Sequence, residues 1–308
     1  MIRLLPLVFV AFIALPAASA MDLDAAKLRL SSANVLVLDA KEGKAVYAKA
    51  ADEVTPIASL TKLMTAMVVL DAKLPMDEVL SIDMDDFDYL KGSHSRLRMG
   101  TSLTRAEMLR LALMSSENRA ASALARHYPG GTLAFVAAMN EKAISLGMTR
   151  THYDDSTGLS PSNVSTANDL AKLVRAAADY DVIRDYSTTP SHYVEVPSGH
   201  TLGFNNSNAL VKNSAWDIQL QKTGYIREAG RCVVMLVTIA SKPMVIVLLD
   251  SIGKFTRVAD AQRVKHWLET GESMPATAFK AVMKQKAPKT IPNKRIQGKF
   301  AATKAPKG

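Results

Sequence analysis

The sequence predicts an α/β (α+β) fold: one antiparallel sheet built from both ends of the chain, with flanking helices and an inserted helical subdomain. Three observations predict it. β-rich runs stand at residues 34–49 and again from Trp216 to Asp250. Between them, apolar residues recur every three or four positions, the period of helices packed on one face. A last helical pattern, "RVADAQRVKHWLET", follows the second set of strands.

"NVLVLDAKEGKAVYAK" reads as a hairpin, two β-rich runs around "KEGK" and its turn glycine. "PIASLTKLMTAMVVLDAK" reads as a helix, with Pro56 and Ser59 as start signals. Leu60, Leu63, Met64, Met67, Val68 and Leu70 form its apolar stripe. Ser59 therefore sits at or next to a helix N-terminus, and Lys62, one turn on, shares its face. In "LTRAEMLRLALMSSENRAASALARHYPGG", Thr104 and Glu107 have capping-box spacing and the apolar positions run to Met114. "SSEN" interrupts there, and a second helix runs to Tyr128, stopped by Pro129, Gly130 and Gly131. "GTLAFVAAMNEKAISLGM" is a further helix ending at Gly147. "DDSTGLSPSNVST" is a polar loop, after which Thr166 and Asp169 open the helix "NDLAKLVRAAADY". "WDIQLQKTGYI" reads as a strand, and "GRCVVMLVTIA" and "MVIVLLD", joined by "SKP", as an apolar hairpin. No internal repeat stands out.

The chain ends carry signals of their own. Arg3, the apolar run "LLPLVFVAFIALP" and the small residues Ala18 to Ala20 form a secretory signal peptide over 1–20, cut after Ala20. The run is shorter than the ~20 residues a membrane anchor needs. The expectation is an exported, periplasmic protein. Cys232, the single cysteine, stands in an apolar run and reads as a buried small hydrophobe. From Ser273 to Gly308 there are nine Lys or Arg and no Asp or Glu. Setting aside those nine and Arg3 leaves 28 of the 38 cations against 29 anions, so the net charge of +9 resides in the tail. Residues 273–308 read as a disordered basic tail, either a solvated extension or an electrostatic contact to anionic lipid or wall polymer. Nucleic acid is a poor partner for an exported chain with a near-neutral body. Residues 21–272 are long enough for one or two domains with an ample core. The six histidines show no H-x-x-x-H spacing, and no metal or cofactor is expected.

Ser59 and Lys62 suggest a serine nucleophile with its own base. A serine followed three positions on by a lysine is expected about once by chance in a chain this long, so the pair alone decides nothing. An ordinary lysine, with a pKa near 10.4, is no base at neutral pH unless desolvation or positive charge lowers it. Ser116 and Asn118, at the junction between two helices, could orient a lysine and a substrate amide; Ser116 could equally cap the second helix. Lys222, Thr223 and Gly224 lie on the strand, where the glycine admits a close backbone and its neighbours can bind a carboxylate. The tripeptide Lys-Thr-Gly arises by chance with odds under about 0.1. A strand edge there could pair with an extended peptide.

In order and context the three motifs match the pattern of penicillin-binding proteins and class A β-lactamases. "PIASLTKLMTAMVVLD", "ALMSSENRAASALA", "STGLSPSNVSTANDLAKLV" and "QLQKTGY" resemble the low-molecular-mass penicillin-binding proteins, the D-alanyl-D-alanine carboxypeptidases and endopeptidases. "SSENRAA" and "NVST" look closest to the endopeptidase branch. The resemblance covers roughly residues 30 to 270 and implies a serine DD-peptidase/β-lactamase-like fold, with residues 21–272 as a single catalytic domain. It implies Ser59 as nucleophile toward the penultimate D-alanine carbonyl of peptidoglycan stem peptides, and Lys62 as general base. It implies Ser116 as proton relay to the leaving amine and Asn118 as the group orienting the lysine or the substrate amide. Lys222 and Thr223 would hold the substrate carboxylate beside Gly224, and the N–H groups of Ser59 and Tyr225 would form the oxyanion hole, Tyr225 being placed by its offset from Gly224. β-Lactams would be covalent inhibitors. Class A β-lactamases add a loop glutamate for deacylation; the loop here offers only Asp154, Asp155 and Asp169. Carboxypeptidase, β-lactamase and non-catalytic β-lactam sensor remain the alternatives, and terminal trimming and cross-link cleavage share the same acyl half.

Overall fold

The computed structural model describes residues 23–196 and 199–275. The expected signal peptide and, from residue 276 on, the basic tail lie outside the described residues.

A five-stranded antiparallel sheet organises the chain, in the order β2-β1-β11-β10-β9. Its first strands are β1 (Asn34–Asp39) and β2 (Ala45–Lys49). Its others are β9 (Asp217–Ile226), β10 (Gly230–Ile239) and β11 (Lys242–Ser251). β1 pairs with β11, so the two ends of the chain close one sheet, as the sequence predicts. Side chains alternate across it. Val35, Val37, Met235, Ile246 and Leu248 pack on one face with Trp267 of α7 (Thr256–Thr270). Leu36, Val234, Val245, Val247 and Leu249 join the helices on the other face. Both faces are covered, which is why β10 and β11 read as nearly unbroken apolar runs.

The inserted part holds β3 (Thr55–Pro56), α1 (Lys62–Asp71), β4 (Val79–Ser81) and β5 (Ser102–Thr104). α2 (Arg105–Met114), α3 (Asn118–Arg126), α4 (Gly131–Ser145), β6 (Val164–Ser165) and α5 (Ala167–Ala177) follow. Thr104 and Thr166 cap α2 and α5 as their spacing predicts, accepting from the N–H groups of Glu107 and Asp169. Glu107 does not complete its capping box; its carboxylate meets His192 instead, 2.8 Å away.

Three features depart from the sequence reading. Ser59 lies in a 3-10 turn, Ala58–Thr61, and α1 begins only at Lys62. α3 is capped by Glu117, whose side chain accepts from the N–H of Arg119, so Ser116 is not the cap. α6 (Asp181–Thr188) and the hairpin of β7 (Ser191–Glu195) and β8 (Thr201–Asn205) stand where the sequence reading placed no element. Only Ile183 and Ser187 of α6 are buried, and one residue in each hairpin strand, Val194 and Phe204.

The polar loop 154–163 is a built element. Asp155 accepts the N–H groups of Thr157 and Ser160, each at 2.7 Å, and Asn163 accepts those of Asp154 and Asp155. Ile57 N–H donates to Asn163 O at 3.0 Å, and Asn163 Nδ2 donates to Thr61 Oγ1 at 3.0 Å, gripping the Ser59 turn from both sides. Gly158 is where the loop touches that turn: a Cβ there would lie 2.0 Å from Ala58 O. Gly147, also at positive φ, faces open space. Gly158→Ala should therefore destabilise by about 2–3 kcal/mol and Gly147→Ala by about 1 kcal/mol, read by urea unfolding. Equal losses would mean that backbone strain alone, and not this contact, fixes the glycine.

Candidate active site

Four segments converge around Ser59. α1 supplies Lys62, the α2–α3 junction supplies Ser116 and Asn118, the loop supplies Thr157, and β9 supplies Lys222 to Tyr225. Lys62 is fully buried. Its ammonium donates to Ser59 Oγ at 3.0 Å, to Asn118 Oδ1 at 2.7 Å and to the Thr157 carbonyl at 2.5 Å. Burial lowers its pKa to about 8, against the opposing charges of Asp155, Glu117 and Asp88. An amine of that pKa, within hydrogen-bond reach of a hydroxyl, can accept its proton near neutral pH.

Lys222 is also fully buried, and its ammonium donates to Ser116 Oγ at 2.9 Å and to the Thr223 carbonyl at 3.0 Å. Burial depresses it well below the lysine range, with the positive charges of Lys62 and Arg257 adding to the effect. Two lysines thus face the gap that holds Ser59 and Ser116, and each touches one hydroxyl.

Backbone geometry places those hydroxyls. Ala58, just before Ser59, has φ 48°, and Ser116 has φ 62°. Both are left-handed conformations that a non-glycine residue adopts only where its surroundings impose it. On β9, Gly224 gives the turn its clearance: a Cβ there would come within 3.0 Å of Ile57 O and 3.2 Å of Ser59 N. Thr223 Oγ1 stands 2.7 Å from Ser207 Oγ. Tyr225 is exposed at the sheet's edge strand, with the Arg231 guanidinium 4.4 Å above its ring.

The structure thus joins Ser59, Lys62 and Asn118 in one hydrogen-bond set and Ser116 and Lys222 in another, with Thr223 and Gly224 alongside and Tyr225 outermost. Besides the Thr157 carbonyl, the sequence reading missed four side chains that contribute to the site. Ser93 Oγ accepts from Asn118 Nδ2 at 2.9 Å, and Asp88 holds the Ser93 N–H at 2.8 Å. Ser207 backs Thr223. Arg257, on α7, donates to the Gly224 carbonyl at 3.1 Å. None of the four has a local spacing signal, since each reaches the site through tertiary packing. Cys232 is buried as expected, its thiol pushed up to about 12 mainly by burial. Among the described residues, no group of His, Cys, Asp or Glu could hold a metal ion, and no helix is long and apolar enough to cross a membrane.

The arrangement suits covalent acyl transfer: a hydroxyl on a lysine of lowered pKa, a second hydroxyl on a second lysine, and an edge strand beside them. Residues 21–253 match the family model described as D-alanyl-D-alanine carboxypeptidase. The chain is 52% identical over 252 residues to a D-alanyl-D-alanine endopeptidase of Pseudomonas aeruginosa, covering 81% of each. It is 48% identical to a D-alanyl-D-alanine endopeptidase of Escherichia coli K12, covering 85% of this chain and 86% of that one. Among solved structures it resembles the Streptomyces K15 DD-transpeptidase, with a TM-score of 0.73 at 28% identity over 79% of this chain and 98% of that one.

Lys62 sheds its proton earlier in the native state than in the unfolded chain, where its pKa is near 10.5. Between pH 8 and 10 the unfolded state therefore binds more protons, and stability from this group rises with pH. Urea unfolding should show wild type gaining about 2 kcal/mol over Lys62→Met across that window. A difference that stays flat with pH would place the native pKa of Lys62 in the ordinary lysine range.

Proposed function

The chain belongs to the D-alanyl-D-alanine carboxypeptidase family, and from that premise we propose that it is a serine DD-peptidase acting on peptidoglycan, chiefly a D-alanyl-D-alanine endopeptidase that cleaves D-alanine–diaminopimelate cross-links. The observation that carries the reading is the contact of Lys62 Nζ, lowered to a pKa of about 8, with Ser59 Oγ at 3.0 Å. The endopeptidase preference rests on the two relatives of that name.

Ser59 Oγ attacks the carbonyl of the penultimate D-alanine as Lys62 takes its proton. The C–N bond breaks, and Ser116, backed by Lys222, delivers a proton to the departing amine. Asn118 holds Lys62 in line and can meet the substrate amide. Lys222 and Thr223 hold the carboxylate next to the leaving amine, and the N–H groups of Ser59 and Tyr225 receive the oxyanion. Removing one such donor costs about 3–4 kcal/mol of transition-state stabilisation. Water then hydrolyses the acyl-enzyme.

β-Lactams enter as acylating inhibitors. Of the three loop acids, Asp155 is occupied by backbone N–H groups, and Asp169 by the Arg150 N–H, Thr151 and Lys172. Asp154 is exposed. Neither Asp155 nor Asp169 is left free for a deacylating water beside Ser59, which favours slow release over the β-lactamase reading. The leader at residues 1–20 supports a periplasmic location, and the charge of residues 273–308 supports a contact with anionic wall or lipid.

Purified protein and a Ser59→Ala control, given a cross-linked muropeptide dimer together with a monomeric pentapeptide, should convert dimer to monomers and largely spare the pentapeptide, only with the serine present. Loss of terminal D-alanine alone would make the enzyme a carboxypeptidase. No serine-dependent product from either substrate would leave a β-lactam-binding sensor. The rate of acylation by a fluorescent penicillin should rise from pH 6 and level off above about 8, as Lys62 loses its proton. A flat profile over that range would remove Lys62 as the base.

A further inference from the structure

We propose that the cavity between the 95–101 loop and the β7–β8 hairpin receives the departing peptide of the cross-link, with Arg98 and His200 meeting its free carboxylates. The proposal rests on the endopeptidase reading above. The cavity measures about 740 Å³, walled by Arg96, Arg98 and Met99 on one side and by Val196, His200 and Leu202 on the other. That size suits several residues of peptide and far exceeds a single amino acid.

Both walls are continuous with the half of the site that handles the leaving group. On the loop side, the Ser95 side chain stands by Glu117, the residue between Ser116 and Asn118, and opposes the rise that burial gives the Glu117 pKa. Two residues on, the Leu97 carbonyl accepts from Arg119 Nη1 at 2.6 Å. On the hairpin side, β8 runs directly into Ser207, whose hydroxyl stands 2.7 Å from Thr223 Oγ1. Ser116 is the proposed donor to the leaving amine, and Thr223 the proposed ligand of the carboxylate beside that amine. The rest of a leaving peptide, extending past these two residues, meets the cavity walls.

The charge of the cavity fits that occupant. Among the described residues, no carboxylate lines it. Arg96 is already engaged: it donates to the Gly203 carbonyl and lies 5.6 Å from the centre of the Phe204 ring, tying loop to hairpin. Arg98 and His200 are exposed, and neither side chain has a partner among the described residues. A stem peptide released by cleavage carries free carboxylates, which complement that wall. A leaving D-alanine has one carboxylate, and Lys222 and Thr223 already provide for it.

The test is made in the full-length protein with Arg98→Glu, His200→Glu, the double variant and Arg98→Lys. Two reactions are followed: cleavage of a muropeptide dimer, and acylation by a fluorescent penicillin, which lacks a leaving peptide and reports the acyl half. In the double variant the ratio of dimer cleavage to penicillin acylation should fall about tenfold at low ionic strength, mainly through a higher KM, and the deficit should shrink in high salt. Arg98→Lys should keep most of the wild-type ratio. An unchanged ratio in the double variant, with wild type cleaving the dimer, overturns the cavity assignment and leaves the endopeptidase reading standing. A wild type that is acylated by penicillin but leaves the dimer intact overturns the endopeptidase reading first, and the cavity with it.

Discussion

Two lysine side chains buried in one seam set the terms for the rest of this structure. A buried ammonium without a counter-ion is expensive, and a second one beside it more so. The displacement of Lys62 from 10.5 to about 8 corresponds to about 3 kcal/mol of disfavoured charge. The partners in contact are all uncharged: Ser59 Oγ, Asn118 Oδ1 and the Thr157 carbonyl for Lys62, and Ser116 Oγ and the Thr223 carbonyl for Lys222. A carboxylate in direct contact would hold a lysine protonated and leave it unable to accept a proton. Asp155 and Glu117 stand one layer back, with backbone N–H groups at their oxygens. At that distance they oppose the desolvation of Lys62 without cancelling it.

The same seam explains why strain sits where it does. Placing two hydroxyls against two buried amines requires left-handed backbone at Ala58 and Ser116, at a cost of about 1–2 kcal/mol each. Such conformations persist only where the surroundings over-determine them. For Ala58 the surroundings are the Asn163 carbonyl and side chain on one side and the clearances of Gly158 and Gly224 on the other. For Ser116 they are the end of α2 and the Glu117 cap of α3.

The sequence made the frame legible because both faces of the sheet are apolar and the longer helices carry buried apolar residues at helical spacing. Periodicity therefore located β1, β10, β11, α1, α2, α4 and α5. The sequence reading placed no element at α6, which is only eight residues long, or at the β7–β8 hairpin, where each strand buries a single residue. The motif residues were legible because Ser59 and Lys62 are one turn apart, Ser116 and Asn118 flank one junction, and Lys222 to Tyr225 are contiguous. Ser93, Ser207 and Arg257 were not, since Arg257 lies 33 residues from its partner Gly224 and nothing short-range marks the pairing. The serine at the junction shows the limit of a local rule. Capping was a sound expectation for Ser116, but Glu117 takes that duty and releases the Ser116 hydroxyl to Lys222.

Under the proposed function, the substrate itself decides which lysine is the base. In the free site both amines lie below the lysine range, and a proton on one disfavours a proton on the other. A carboxylate docking against Lys222 and Thr223 stabilises the ammonium of Lys222, because an opposite charge at contact favours the charged form. Repulsion from that ammonium then favours the neutral amine on Lys62, the lysine that touches the nucleophile. A peptide lacking the carboxylate would leave the proton unassigned and Ser59 less often activated. Requiring a carboxylate beside the scissile bond is thus a condition on chemistry as well as on binding, and it follows from burying two like charges where one proton is in use.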